Sequence, residues 1–229
     1  MSKQESVIAG TPFFKEKVKI SSLSQLEVKS AFEGEIVHDG QRLAYDVLCK
    51  ETNIVNEEGY FSGSANEEKS NIFIPTSKGV RLTDLWDEVS FWTVVYPSGN
   101  KNANPYSCMR LFSRRKSDNK MMAELFCDKL PEKYLRGNVL ELGRLASHEL
   151  ARGGALLCAL MIKNCLELAM ATNSSILAYT AQPNVVHLLS KIKFDDEGVT
   201  QEKYKFLYLP EDKVKSSYEY VVHYLKQLN

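Results

Sequence analysis

The sequence predicts a mixed α/β chain: one central sheet of mixed strand direction with helices on both faces. Three observations predict it. Strand-like and helix-like segments follow in the order strand, helix, antiparallel hairpin, strand, helix, strand, helix, strand. The helix Gly154–Thr172 carries an apolar stripe that requires a core on one side. The chain has 229 residues, 44% of them hydrophobic, with no internal repeat, which suits a single continuous domain over 1–229.

Taken in order, Leu26–Phe32 has the alternation of a strand. Gly34–Thr52 places apolar residues at Ile36, Val37, Leu43, Val47 and Leu48, an amphipathic helix that Asp39-Gly40 is expected to break. Asn53–Lys78 is rich in Asn, Glu, Ser and Gly, with one apolar island at Ile72–Ile74, and reads as a long loop or insertion. Val89–Tyr96 is β-branched and aromatic, Pro97–Pro105 is turn-rich, and Tyr106–Ser113 returns, so these form a hairpin with a long connection. Met122–Leu130 fits a short helix or a loop. Beyond it come a strand at Val139–Ala146, the helix Gly154–Thr172, a strand at Ser175–Thr180, a helix at Asn184–Lys193 and a strand at Tyr204–Leu209. A terminal helix, Ser216–Leu228, turns Tyr218, Val221, Val222, Tyr224 and Leu225 inward.

Composition narrows the function. Lys plus Arg and Asp plus Glu are 29 each, so there is no broad cationic footprint for nucleic acid. The basic run Arg114-Arg115-Lys116 is either a solvated turn between strands or a docking site for an acidic partner. Five cysteines without a Cys-x-x-Cys pair read as reduced core residues, and four histidines without ligand-like spacing predict no metal site. Met1–Ser6 lacks a signal-peptide pattern, and the longest apolar run, Ala155–Ile162, is far short of a membrane span. The expectation is a soluble, cytoplasmic protein.

The chemistry concentrates around Val139–Ala146. Its apolar residues are interrupted by Glu141 and Arg144, charges that a plain core strand would not carry. A carboxylate and a guanidinium three residues apart can be a structural ion pair or part of a site. The loop Ser147–Gly154 that follows, with Arg152, Gly153 and Gly154, runs into a helix. A helix N-terminus offers unpaired N–H groups and partial positive charge, so a glycine-rich entry suits a phosphate or pyrophosphate.

Four segments together resemble the GNAT-fold acyltransferases, and within them the acyl-homoserine lactone (autoinducer) synthases and the N-acyl amino acid synthases. Arg42–Glu51 resembles the family's first helix, with Ala44 where an arginine is usual. Asp84-Leu-Trp-Asp87 resembles its paired aspartates, Met109-Arg110-Leu111 the arginine on the hairpin's second strand, and Glu141-Leu-Gly-Arg144 the acid and arginine of the donor strand. The resemblance spans about residues 26–195. It departs from ordinary acetyltransferases at Leu189, where a tyrosine commonly protonates the departing thiolate, and at Lys193, where glycine is common. Arg152–Ala155 also lacks the full phosphate-loop spacing.

The resemblance implies a GNAT-like fold and transfer of a fatty acyl group to a small amine of the homoserine lactone or amino acid type. The donor would be a carrier-protein or CoA thioester, with no permanently bound cofactor and no metal. Glu141 and Arg144 would be the catalytic pair, Glu141 as base toward the ammonium group. Asp84, Asp87, Arg110 and Trp92 would shape the acceptor pocket, with guanidinium forks suited to carboxylates and phosphates. Ser147, Arg152, Gly153 and Gly154 would hold the donor, and Arg114, Arg115 and Lys116 could meet an acyl-carrier protein. Two alternatives stand beside this: a general acetyl-CoA N-acetyltransferase, and a catalytically idle GNAT-like binding module.

Overall fold

Seven strands form one sheet in the computed structural model, which describes residues 23–61, 71–100, 103–127, 129–148, 155–201 and 204–227. The strands are β1 (Leu26–Ala31), β2 (Asn71–Thr76), β3 (Gly79–Asp84), β4 (Ser90–Pro97), β5 (Ser107–Phe112), β6 (Val139–Ser147), β7 (Ser175–Thr180), β8 (Asp195–Gln201) and β9 (Tyr204–Leu209). The helices are α1 (Glu35–Tyr45), α2 (Glu132–Leu135), α3 (Ala155–Ala171), α4 (Pro183–Lys191) and α5 (Glu211–Gln227). The large sheet runs β1-β4-β5-β6-β7-β9-β8, while β2 and β3 form a separate hairpin. Every neighbouring pair in the large sheet is antiparallel except β6 and β7, which are parallel.

Period-2 alternation gives the sheet its two buried faces. Met109 and Leu111 of β5 join Leu142, Ile176 and Leu207 beneath α3 and α5, which contribute Leu157, Met161, Leu166, Val221 and Leu225. On the other face Cys108 packs with Trp92, Val94 and Ala146 beneath Leu43, Ala44 and Val47. Further along that face, Phe112 and Leu177 meet Met121, Phe126, Tyr134 and Phe206. Helices therefore cover both faces, as the periodicity required.

Local departures from the sequence reading have physical causes. α1 does not break at Asp39-Gly40 but passes through Gly40, because the Trp92 indole lies against it. A Cβ at Gly40 would fall 2.5 Å from Trp92 Cε3. The helix then widens into a π-type turn over Asp46–Glu51, closed by the Thr52 hydroxyl donating to the Val47 carbonyl at 2.9 Å. The expected loop over 53–78 instead contains β2, which pairs with β3 from Asn71↔Asp84 to Thr76↔Gly79. Asn71 is buried and its amide donates to the Gly59 carbonyl at 2.9 Å, tying the hairpin to the preceding turn.

β8 has no strand signature in the sequence, since its Asp195-Asp-Glu-Gly start lacks an apolar alternation, and its partner β9 supplies the order. α5 begins at Glu211, just after Pro210, rather than at Ser216, and its acidic first turn suits a helix N-terminus. No helix among the described residues is long and apolar enough to cross a membrane.

Candidate active site

The parallel pair β6–β7 is where the sheet opens. Its register runs from Val139↔Ser175 to Leu142↔Ala178, yet β6 continues to Ser147 and β7 to Thr180. Beyond Leu142, backbone groups of β6 that point away from β5 have no strand opposite them among the described residues. A bulge adds to the divergence: Arg110 pairs with Gly143 but Cys108 with Ala146, so Met109 faces both Arg144 and Leu145. Arg144 takes a positive φ of 54° in this bulge, a conformation costing a non-glycine residue roughly 1–2 kcal/mol.

Two adjoining cavities occupy the opening. The outer one, about 740 Å3, lies among Leu48, Ser147, Cys158 and Ala159 of α3, Leu188 and Lys191 of α4, and Tyr220 and Tyr224 of α5. The inner one, about 390 Å3, is bounded by Phe61, Met122, Phe126, Arg144, Tyr179 and Tyr204. Leu145, Ile162, Gln182, Val185 and Leu188 border both. The lining is predominantly aliphatic and aromatic, with few polar groups, which is the character of a site for an apolar ligand.

Behind the inner cavity runs a buried charge network that explains why the sequence carries its charges. Arg110 Nη1 donates to Asp84 Oδ1 and Asp87 Oδ1, each at 2.8 Å. Arg144 Nη2 donates to Asp84 Oδ2 at 2.6 Å and to the Asn71 side-chain carbonyl. Gln41 Nε2 donates to Asp87 Oδ2 at 3.0 Å, so α1 is also drawn in. Burial raises the Asp84 carboxyl's pKa, but the charges of Arg110 and Arg144 outweigh it and hold the group below its usual range. Burial, and then the Asp84 charge, push the Asp87 carboxyl up. Burial opposes the charged form of Arg110, and its two aspartates more than offset that. The guanidinium of Arg110 also lies over Phe112 at 4.3 Å and Trp92 at 5.7 Å.

The residues singled out in the sequence therefore separate into groups. Arg144 borders the inner cavity and Ser147 the outer one. Asp84, Asp87, Arg110 and Trp92 line neither cavity; they form the layer behind Arg144. Glu141 is fully buried, with its oxygens accepting the backbone N–H groups of Met122 at 2.8 Å and Ala123 at 2.7 Å. Burial pushes its carboxyl up to about 8, against the pull of those two bonds. Glu141 and Arg144 share no hydrogen bond, since Arg144 pairs with Asp84 instead. Arg152, Gly153 and Gly154 lie outside the described residues.

The basic run is not a free cationic patch. Arg114 donates to the carbonyls of Asn119 and Leu135 at 3.0 and 2.9 Å, and Arg115 pairs with Asp118 and lies over Trp86 at 4.9 Å. Both arginines hold the turn together, leaving Lys116 as the exposed member.

Sequence reasoning missed the aromatic wall of the inner cavity. Phe126 meets Phe61, Tyr179 and Tyr204 at ring distances of 5.1, 5.0 and 4.7 Å. These four come from separate segments with no shared motif, so only the fold assembles them. Lys193, in contrast, keeps a glycine-like backbone. Its φ is 70°, and the Lys193 and Phe194 N–H groups close α4 onto the Ser190 and Leu189 carbonyls, each at 3.1 Å. Leu189 is buried and borders the inner cavity.

No protein-family model and no curated protein matches this sequence. Solved structures do resemble it. The AHL synthase LasI superposes with a TM-score of 0.54 over 84% of this chain and 92% of its own, at 12% identity. A CoA-dependent acyl-homoserine lactone synthase, BjaI, solved with SAM and isopentyl-CoA, gives 0.52 over 86% and 89%, at 13% identity. At such identities the likeness establishes the fold: the chain has the GNAT N-acyltransferase fold, a mixed sheet covered by helices on both faces.

Proposed function

We propose that this chain is an N-acyltransferase that moves a fatty acyl group from a carrier-protein or CoA thioester to a small amine of the homoserine lactone or amino acid type. The observation that carries this reading is the pair of adjoining, largely apolar cavities at the parting of β6 and β7. A two-carbon acyl group would leave most of the inner cavity unfilled. Leu189, in place of the hydroxyl that serves many acetyl-transferring enzymes of this fold, supports the same preference.

In this reading the thioester lies across the parting strands, its acyl chain in the inner cavity and its thiol arm in the outer one beside Ser147. The neutral amine attacks the carbonyl carbon, the C–N bond forms, and the C–S bond breaks as the oxyanion collapses. In the same reading, N–H groups of β6 beyond Leu142, where its pairing with β7 ends, stabilise that oxyanion. Arg144 supplies positive charge at the inner cavity, held in register by Asp84 and, through Asp84, by Arg110. The thiolate leaves with a proton taken from the amine through solvent or a neighbouring group.

The test is turnover of labelled acyl-carrier protein, long-chain acyl-CoA and acetyl-CoA against a panel of amines including homoserine lactone and free amino acids. Acylated amine from a long-chain donor upholds the proposal. Acetyl transfer alone would favour the general acetyltransferase, and absence of both binding and turnover would favour an idle binding module.

A further inference from the structure

Glu141 leaves β6 one residue before the strands part, on the side opposite Leu142. There it meets the start of a one-turn 3-10 helix, Met122–Leu125. The first N–H groups of such a turn have no partners within it and, when buried, need an acceptor. Three consecutive donors find one: Met121 N–H reaches Glu124 Oε2 at 2.6 Å, and Met122 and Ala123 N–H reach the two oxygens of Glu141. The same turn delivers Met122 and Phe126 to the inner cavity, and Phe126 is the ring around which Phe61, Tyr179 and Tyr204 gather. Glu141 itself borders neither cavity. A general base must come within about 2.6–3.2 Å of the proton it takes, or reach it through one water.

We infer that Glu141 is a positioning residue: by anchoring the Met122–Phe126 turn it sets the wall of the inner cavity and hence which acyl chains the site accepts. This rests on the N-acyltransferase reading. A glutamine at 141 would present an NH2 to one of two backbone N–H groups, leaving that donor without an acceptor and displacing the turn. Removal of the Phe126 ring would alter the same wall without touching Glu141.

The experiment measures KM and kcat separately for butanoyl, hexanoyl, decanoyl and palmitoyl thioesters in the full chain, its Glu141→Gln variant and its Phe126→Ala variant. Decanoic acid is titrated into all three by calorimetry without acceptor. Both variants are expected to change the ratio of KM between shortest and longest chains by about tenfold or more, as fits a change in a hydrophobic pocket. The kcat on the best chain should stay within about threefold. A uniform loss of kcat in Glu141→Gln of about a hundredfold, with that KM ratio unchanged, would make Glu141 the base and overturn the inference. An unchanged chain-length profile in Phe126→Ala overturns it as well, even if Glu141→Gln does not fold. If the unaltered protein turns over no thioester, the N-acyltransferase reading fails by itself, and the decanoic acid titration decides the role of Glu141. Altered affinity in both variants upholds the wall, and equal affinity in all three overturns it.

Discussion

Arg144 carries two burdens, a strained backbone at φ 54° and a buried ion pair with Asp84. Its Nε and Nη1 have no hydrogen-bond partner among the described residues, so its side-chain hydrogen bonds all run through Nη2, beside a stacking contact of the guanidinium over the Phe61 ring at 5.5 Å. Arg144→Ala is expected to cost about 3 kcal/mol, because it removes one of the two cations facing a buried carboxylate. Urea unfolding measures this, and acyl transfer by the surviving folded fraction should also fall. Normal kinetics in that fraction would reduce Arg144 to a structural ion pair. Glu141 gives a second residue-scale test. Its carboxyl is raised to about 8 in the fold, from an ordinary 4.5. Between those values the folded chain keeps a proton that the unfolded chain has released, so stability falls as pH rises through that window. Comparing Tm at pH 5 and pH 8 should show a steeper fall in the unaltered chain than in Glu141→Gln. Asp87, raised in the same direction, is present in both and cancels. Equal slopes would sink the assignment.

Among the elements, α1 shows how one contact reverses a propensity. Gly to Ala inside a helix ordinarily stabilises by about 1 kcal/mol. At Gly40 the new methyl would meet the Trp92 ring at 2.5 Å, and overpacking of that kind costs about 1–3 kcal/mol. Gly40→Ala is therefore expected to lower stability, read as a drop in denaturant midpoint; a rise would show that Trp92 can move aside without cost. Local pattern alone suggests a break at this glycine because it registers flexibility and not the indole above it. The hairpin β2–β3 escaped for a related reason. Of its twelve residues, six in each strand, only Asn71, Leu82 and Asp84 are buried, so there was little apolar alternation to see. β4, β5, β6, β7 and β9 were visible because their buried positions repeat along each strand.

For the molecule as a whole, the two cavities make donor length the property to measure. Each buried methylene contributes about 0.8 kcal/mol, so lengthening an acyl chain by a few carbons outweighs a modest change in the grip on the thiol arm. The expected order of kcat/KM is decanoyl above hexanoyl above acetyl, measured across a thioester series. Leu145 borders both cavities, and Leu145→Trp should close the way between them. Because, in the proposed reading, the thiol arm lies in the outer cavity and the acyl chain in the inner one, turnover of every thioester, short or long, should fall by tenfold or more, on the order expected when a pocket loses room for a methylene or two. Unchanged turnover at every length would mean that the donor does not pass Leu145.

Local spacing alone gives the layered α/β architecture, apart from β2, β3 and β8, and the identity of the charged residues in β6. Period-2 and helical spacing are local, and each strand or helix reports its buried face within a few residues. A charge inside an apolar strand is equally local, so Glu141 and Arg144 stand out from the pattern, whereas Arg110 is singled out only by the resemblance. Who partners whom follows from packing between distant segments. Arg144 lies three residues from Glu141, yet its carboxylate is Asp84, sixty residues away along the chain. Glu141 instead meets the Met122–Ala123 backbone from a segment that reads as helix or loop. The parting of β6 from β7 and the ring of Phe61, Phe126, Tyr179 and Tyr204 likewise depend on pairing between distant segments. Local spacing specifies which face a side chain leaves from; only packing specifies what it meets there.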